Sequence, residues 1–293
     1  MTARPRILWA ALGLLAVGVI ALGFALNSLR GYTGHTVPRI APEALSRLLA
    51  PSYRVETPAG AGPFPVMLLF SGCDGPKDNL DRWAAMARDE GYATMIVDSH
   101  GPRGFLDWQI WRLICAGQLL TGQERAGDVA VAIADALALP FADGRLVLFG
   151  ASHGGWSILD LLALHGRGEV PFNLTAWPDR VARDGLAPVL GTILTYPYCG
   201  IMSRVRRAGW RHPAPVGFLL ARGDTIADEE KCADLAGRMQ GDGLPVTVQT
   251  FEGVTHGFDQ NVRSPLSPFE FSPAATGEAL ALGRALLRDY AAR

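Results

Sequence analysis

The sequence predicts an α/β protein, with a mainly parallel central sheet carrying helices on both faces and a transmembrane helix at its N-terminus. Three observations lead there. From Tyr53 onward, short continuous apolar runs of the kind strands need when both faces are covered alternate with stretches of helical periodicity. One run, Leu146-Val147-Leu148-Phe149, leads into Gly150-Ala151-Ser152-His153-Gly154-Gly155 and then into the apolar helical stretch Trp156 to Leu164. Upstream of all this, Ile7 to Leu26 is uninterrupted apolar sequence.

That first stretch is preceded by Arg4 and Arg6 and closed by Asn27, Ser28 and Arg30. A secretory h-region runs to about 7–15 residues and a spanning helix to about 20, so the length is that of a span. Gly23 and Ala25 would still suit a signal peptidase, which leaves an anchored and a cleaved, secreted form both open. In either case the basic end stays cytoplasmic and the remainder is exported, to the periplasmic or extracellular side. Residues 1–30 are therefore read as signal-anchor or signal peptide, 31–52 as a linker with a short helix, and 53–293 as the α/β domain.

Within that domain Tyr53 to Thr57 is an expected edge strand and Val66 to Phe70 a buried one. Asn79 to Glu90 carries Leu80, Trp83, Ala84 and Ala87 at helical spacing, and Ala93 to Val97 is the next strand. Phe105 to Leu120 is expected to be partly helical, and Thr121 to Leu139 a long alanine-rich helix. Residues 166–188 have turn residues and little periodicity, as an insertion would. Strands follow at Val189–Thr195, Val216–Leu220 and Val246–Phe251, with helices at Asp228–Met239 and Ala274–Ala291. In such sheets the ligand site lies beyond the carboxyl ends of the strands.

Strand, tight turn and helix around Ser152 make a nucleophile elbow: the serine sits at the tip of a strained turn, and flanking glycines let the helix approach the strand. Ser152, Asp224 and His256 each follow a predicted strand, so all three fall on one sheet edge, in the chain order of α/β hydrolases. Serine needs a base, histidine has the right pKa for it, and aspartate fixes the imidazole tautomer. Asp228 is the rival acid, though its position suits a helix N-cap. Two backbone N–H groups are needed for an oxyanion: that of His153, directly after the serine, and one from the loop after Phe70, where Cys73 is preferred over Gly72.

A net charge of −1 gives no field for nucleic acid, and no Cys or His spacing fits zinc, so neither a metal nor a cofactor is expected. The segments Ser71-Gly72-Cys73-Asp74-Gly75, Asp98 to Gly104, Glu124 to Asp128, the elbow and Thr255 to Asp259 together resemble the dienelactone hydrolase family over roughly residues 60–290. The resemblance implies a single α/β-hydrolase domain and supports Ser152, Asp224 and His256 as its triad. The founding enzymes of that family use cysteine where this chain has Ser152, which favours a general serine esterase over an enzyme for dienelactone itself. Arg103 and Arg125 recur in the matching segments and read as structural, holding loop carbonyls or carboxylates.

The expected substrate is a small ester or lactone. Alternatives are a prolyl-oligopeptidase-like peptidase, for whose propeller the chain has no repeat, an acyltransferase using the same residues, or a catalytically silent exported scaffold. Export permits disulfides. Cys73 and Cys115 follow two strands that neighbour each other in this fold, while Cys199 ends one strand and Cys232 lies in the helix after the next. The expected pairs are Cys73–Cys115 and Cys199–Cys232, against the alternative of four buried thiols. The basic run Arg204 to Arg211 reads chiefly as a solvated or lipid-facing surface, and secondarily as a carboxylate selector beside Trp108, Trp111, Trp156 and Trp210.

Overall fold

The computed structural model describes residues 4–35, 37–210, 212–263 and 267–293; the side chains of residues 4–7, Asp107, Trp111, Arg112, Arg207 and Ala208 lie outside the description. The side chains of Arg4, Arg6, Trp111 and Arg207, and the whole of Arg211, which the sequence singles out, therefore lie outside the described residues. Among the described residues seven strands form one sheet: β1 (Arg54–Glu56), β2 (Phe64–Phe70), β3 (Ala93–Val97), β4 (Ala142–Ala151), β5 (Val189–Thr195), β6 (Val216–Ala221) and β7 (Val246–Phe251). Their spatial order is β1-β3-β2-β4-β5-β6-β7, with only β1 antiparallel to its neighbour.

The helices are α1 (Arg4–Thr33), α2 (Pro42–Leu49), α3 (Asp78–Asp89), α4 (Asp107–Gln109), α5 (Gly122–Leu137), α6 (His153–Gly166), α7 (Asp179–Asp184), α8 (Val205–Ala208), α9 (Glu229–Gly241) and α10 (Pro273–Ala292). After α4 the chain continues as a π-turn over Ile110–Ile114, which is the partial helix expected between Phe105 and Leu120. Each strand sends alternate residues to opposite faces. In β2, Val66, Leu68 and Phe70 enter a core with α2, α5, α6 and α9, while Met67 and Leu69 enter a second core with α3 and α10. Covering both faces explains why the strands read as continuous apolar runs.

Two segments contribute more packing than the sequence suggests. Leu45 and Leu49 of α2 are fully buried in the first core, and Ser46 and Tyr53 donate hydrogen bonds to Asp135 of α5. Ile40 bridges to Leu174, so integral packing begins about a dozen residues before Tyr53. The low-periodicity segment 166–188 supplies Leu174, Val181 and Leu186 to the same core, anchored as single residues and not as a periodic face.

Both expected disulfides are formed, Cys73–Cys115 and Cys199–Cys232. Their sequence separations of 42 and 33 residues correspond to about 4 kcal/mol each in the chain-entropy account. In helix α1 the stretch Leu8–Thr33 is long and apolar enough to cross a membrane, and none of its most apolar window is buried.

The docking of α2 is testable. Leu49→Ala should lower unfolding free energy by about 2–5 kcal/mol, as truncation of a fully buried leucine does. Chemical denaturation would read it, and a loss under about 0.5 kcal/mol, the size of a surface substitution, would mark α2 as peripheral.

Candidate active site

The sheet order places the site before any side chain is considered. From β2 the chain moves outward to β3, and from β4 it moves the other way to β5, so the strand order reverses between β2 and β4. A crevice opens at the carboxyl ends of strands where the order reverses. Phe70 pairs with Gly150, which sets the loop after β2 level with the turn after β4. Ala221 pairs with Phe251, which levels the loops carrying Asp224 and His256.

Ser152 has φ +49° and ψ −111°, a conformation costly for any residue with a Cβ. It is held there by its own N–H to the Thr195 carbonyl at 2.9 Å and by the close approach of α6 to the sheet. A Cβ on Gly150 would lie 2.6 Å from the Gly155 nitrogen, and one on Gly154 would strike the Phe70 carbonyl. Side chains at these two positions would push α6 away and release the turn.

The structure brings the three sequence-predicted residues into one chain of hydrogen bonds. Ser152 Oγ lies 2.8 Å from His256 Nε2, and His256 Nδ1 lies 2.5 Å from Asp224 Oδ2. The other Asp224 oxygen accepts from the N–H groups of Ile226 (2.8 Å) and Ala227 (3.0 Å). Burial pushes the Asp224 carboxyl up, but the His256 hydrogen bond and charge, with those two N–H groups, outweigh it and hold it below the ordinary carboxylate range. Asp228, the rival, does sit at the N-cap position of α9, yet it caps nothing and its half-exposed carboxylate pairs with Lys231. Such an array can pass a proton from hydroxyl to imidazole while an ionised carboxylate faces the far nitrogen.

Around the serine, Gly72 and Cys73 lie against Ser152, a Cβ on Gly72 falling 3.8 Å from the serine Cβ. His153 opens α6, so its N–H has no intrahelical acceptor. One fully buried side chain serves both places. Arg125 donates to the Ser71 carbonyl (2.8 Å), to the hydroxyls of Ser71 (3.1 Å) and Ser99 (3.0 Å), and to His153 Nδ1 (3.1 Å). Burial, followed by the Arg125 charge, pushes the His153 imidazole well below its usual range and keeps it neutral. Arg103 forms a fork with Asp128 (2.8 and 2.9 Å) and reaches the Ser99 carbonyl (2.6 Å). Both arginines thus hold loop carbonyls and polar side chains, as read from the sequence.

Beside Ser152 is a cleft of ≈ 190 Å³ whose walls include the Cys73–Cys115 disulfide, Trp156, Tyr198, Ile226 and Phe269. A larger groove of ≈ 520 Å³ between α2 and α5 is lined by Ser46, Asp135 and Arg180; it has no histidine beside its serine and shares no residue with the Ser152–His256–Asp224 chain. Of the four tryptophans considered, Trp156 lines the cleft, Trp108 is exposed, and Trp210 is buried with its N–H on the His212 carbonyl; the Trp111 side chain lies outside the described residues. Arg204 lies over the rings of Tyr32 and Phe172 and pairs with Glu169, while Arg206 is exposed; neither lines the cleft. Among the described residues no cluster of side chains suits a metal ion.

Sequence reasoning gave no role to Tyr198, Ile226 or Phe269, nor to the support behind His256. There the Tyr196 ring meets the imidazole at 4.8 Å, and Tyr196 donates to Asp259, which also accepts from Trp83 Nε1 at 2.8 Å. Asp74, in the loop after β2, accepts from Gln260 at 2.7 Å; burial raises its carboxyl above the usual range against that bond.

A sheet of this order with a strained serine turn at the end of its central strand defines the α/β-hydrolase fold. The chain matches no protein-family model and no curated protein sequence. Solved structures do match. A protein described as a dienelactone hydrolase from Klebsiella pneumoniae is 13% identical with a TM-score of 0.59, over 80% of this chain and 92% of that one. A dienelactone hydrolase-like promiscuous phosphotriesterase from metagenomic libraries is 14% identical with a TM-score of 0.54, over 81% and 98%. An esterase of Thermogutta terrifontis with propionate bound is 17% identical with a TM-score of 0.56, over 81% and 88%. At these identities the likeness is one of fold.

One buried acid near the cleft makes a pH prediction. Asp160, inside α6, accepts from Ser203 Oγ (2.7 Å) and Arg204 N (2.6 Å) and so holds the loop after Tyr198. Burial lifts its carboxyl to about 7, against those bonds. With the folded value above the unfolded one, the contribution is fully present below about pH 4 and is lost as pH rises through about 7. The melting temperature should therefore fall by some degrees across that window, and Asp160→Asn, which keeps an acceptor for the same donors, should flatten the fall. Parallel melting curves for the two proteins would contradict this assignment.

Proposed function

We propose that the protein is a serine hydrolase that cleaves carboxylic esters or lactones through an acyl-enzyme. The observation that carries the reading is the Ser152–His256–Asp224 hydrogen-bond chain, set at a strained turn that opens onto an apolar cleft. Ser152 Oγ attacks the ester carbon and its proton passes to His256 Nε2. The carbonyl oxygen becomes an oxyanion facing the N–H groups of His153 and Cys73. As the tetrahedral intermediate collapses, His256 returns the proton to the leaving alcohol. A water molecule, deprotonated by His256, then attacks the acyl-Ser152 ester; as the C–Oγ bond breaks, His256 returns the proton to Ser152 Oγ and the acid is released. Asp224 holds Nδ1–H throughout and stabilises the imidazolium.

The dienelactone hydrolase-like names and the esterase among the fold's relatives support ester hydrolysis as the activity. Among the described residues no arginine or lysine lines the cleft, which favours neutral acyl groups over the acidic esters that Arg206 would have selected. The structural unit is a single hydrolase domain to which α2 belongs, joined to α1. Helix α1 anchors it in a membrane with the domain on the exported side, where its two disulfides are stable.

Ser152→Ala should cut turnover of short neutral esters by several powers of ten and abolish fluorophosphonate labelling; nucleophile loss costs about 10⁶ in a well-measured triad. His256→Ala should do nearly as much, and Asp224→Asn should fold normally but slow the reaction by about 10⁴ or less. Full activity in the Ser152 variant would sink the mechanism. Topology has its own check: the chain should remain with membranes after a carbonate wash, and protease added from the exported side should reach the domain. Finding the domain protected from that side would overturn the orientation.

A further inference from the structure

We infer that the segment from Phe105 to Leu120 beds in the membrane leaflet on the domain's side and opens the Ser152 cleft onto it, so that the enzyme's substrate is an ester dissolved in the bilayer. This rests on the membrane-anchored hydrolase reading above. The depth follows from helix geometry. At 1.5 Å per residue, Ile7 to Leu26 spans about 30 Å, the thickness of the hydrocarbon layer. Ile20 and Phe24 then lie about 9 and 3 Å inside the boundary on the domain's side.

Those residues line, with Gly23, Leu113 and Leu119, an apolar groove between α1 and the segment. A chain that shares a groove with Ile20 and Phe24 is at leaflet depth itself. The polar residues mark the boundary. Asn27 donates to the Gln118 carbonyl at 2.7 Å, and Gln118 donates to Ser28 Oγ at 2.8 Å, just where the apolar run of α1 ends. Arg30 follows in the last turn of α1, and Arg204 covers Tyr32, both at head-group level.

The same segment exposes Leu106 and Trp108, each 58% accessible, a tryptophan being the residue most at home at a membrane interface. It is also a wall of the cleft. Cys115, between Leu113 and Leu119, is bonded to Cys73, and both cysteines line the space beside Ser152. The cleft's ≈ 190 Å³ takes the ester end of a molecule whose remaining chain stays in the leaflet.

The experiment uses the full chain reconstituted in phosphatidylcholine–phosphatidylglycerol vesicles, with Leu106→Asp/Trp108→Asp as the variant. Both positions are exposed and outside the cleft, so turnover of water-soluble p-nitrophenyl acetate should stay within about twofold of the parent while turnover of a vesicle-borne long-chain ester falls more than about tenfold. Brominated lipids should quench the fluorescence difference between the parent and a Trp108→Phe variant. Equal turnover of the vesicle-borne ester by parent and double variant, or a Trp108 signal indifferent to brominated lipid, overturns the inference. Failure of the hydrolase reading is told apart by the acetate assay with Ser152→Ala, and failure of anchoring by the carbonate wash; quenching reports on the segment whatever the activity.

Discussion

A single buried charge underlies the site. Arg125 has no exposed surface, and a guanidinium taken out of water is tolerated only when its donors are satisfied. Its partners are Ser71 at the end of β2, Ser99 after β3 and His153 at the start of α6. Three separate chain segments therefore meet on one rigid fork. The loop after β2 and the first residue of α6 are the two places from which oxyanion donors would come, so their separation is fixed by one planar group. Lysine, with a point charge on a flexible stem, would not reproduce that geometry.

The fork works because the backbone has already been brought close. Gly154 lets α6 meet the Phe70 carbonyl, and Gly150 lets the elbow strand pass beneath the helix. The reversal of strand order between β2 and β4 then leaves a crevice above this junction. On the far side of the serine, β6 and β7 end in register, and their loops deliver Asp224 and His256 with the imidazole braced by Tyr196 and Phe269. Each part of the arrangement is held by a different kind of contact: sterics at the glycines, a charge fork at Arg125, ring packing at His256.

Much of this was legible in the chain. Strands covered on both faces announce themselves as apolar runs, and Ala93–Val97, Val189–Thr195 and Val246–Phe251 fall where the sequence puts them. Ser152, Asp224 and His256, which the structure joins in one hydrogen-bond chain, can be singled out because each follows such a run, and both cysteine pairs because strand adjacency brings the segments after those strands together. What was not legible depends on contacts between distant segments with no periodicity. Leu174, Val181 and Leu186 reach the core one at a time, and nothing in their spacing signals it. Phe269 reaches the cleft from a segment without a motif. Asp228 looked like a cap, but its left-handed backbone turns the side chain toward Lys231. The arginines after Tyr198 were placed on the right sheet edge, yet Arg204 turns away to stack on Tyr32 and Phe172.

The pinning of Ile40 has a mechanical consequence. Its N–H bonds the Asn173 carbonyl and its own carbonyl receives Thr175, so the chain is fastened to the domain only seven residues after α1 ends at Thr33. Seven residues reach at most about 25 Å, while a domain of this size has a radius of gyration of about 18 Å. The leash is too short for the domain to roll over. Whatever surface holds α1 meets the same sector of the hydrolase every time, and inserting residues between Gly34 and Ile40 would lengthen the reach without loosening the fold.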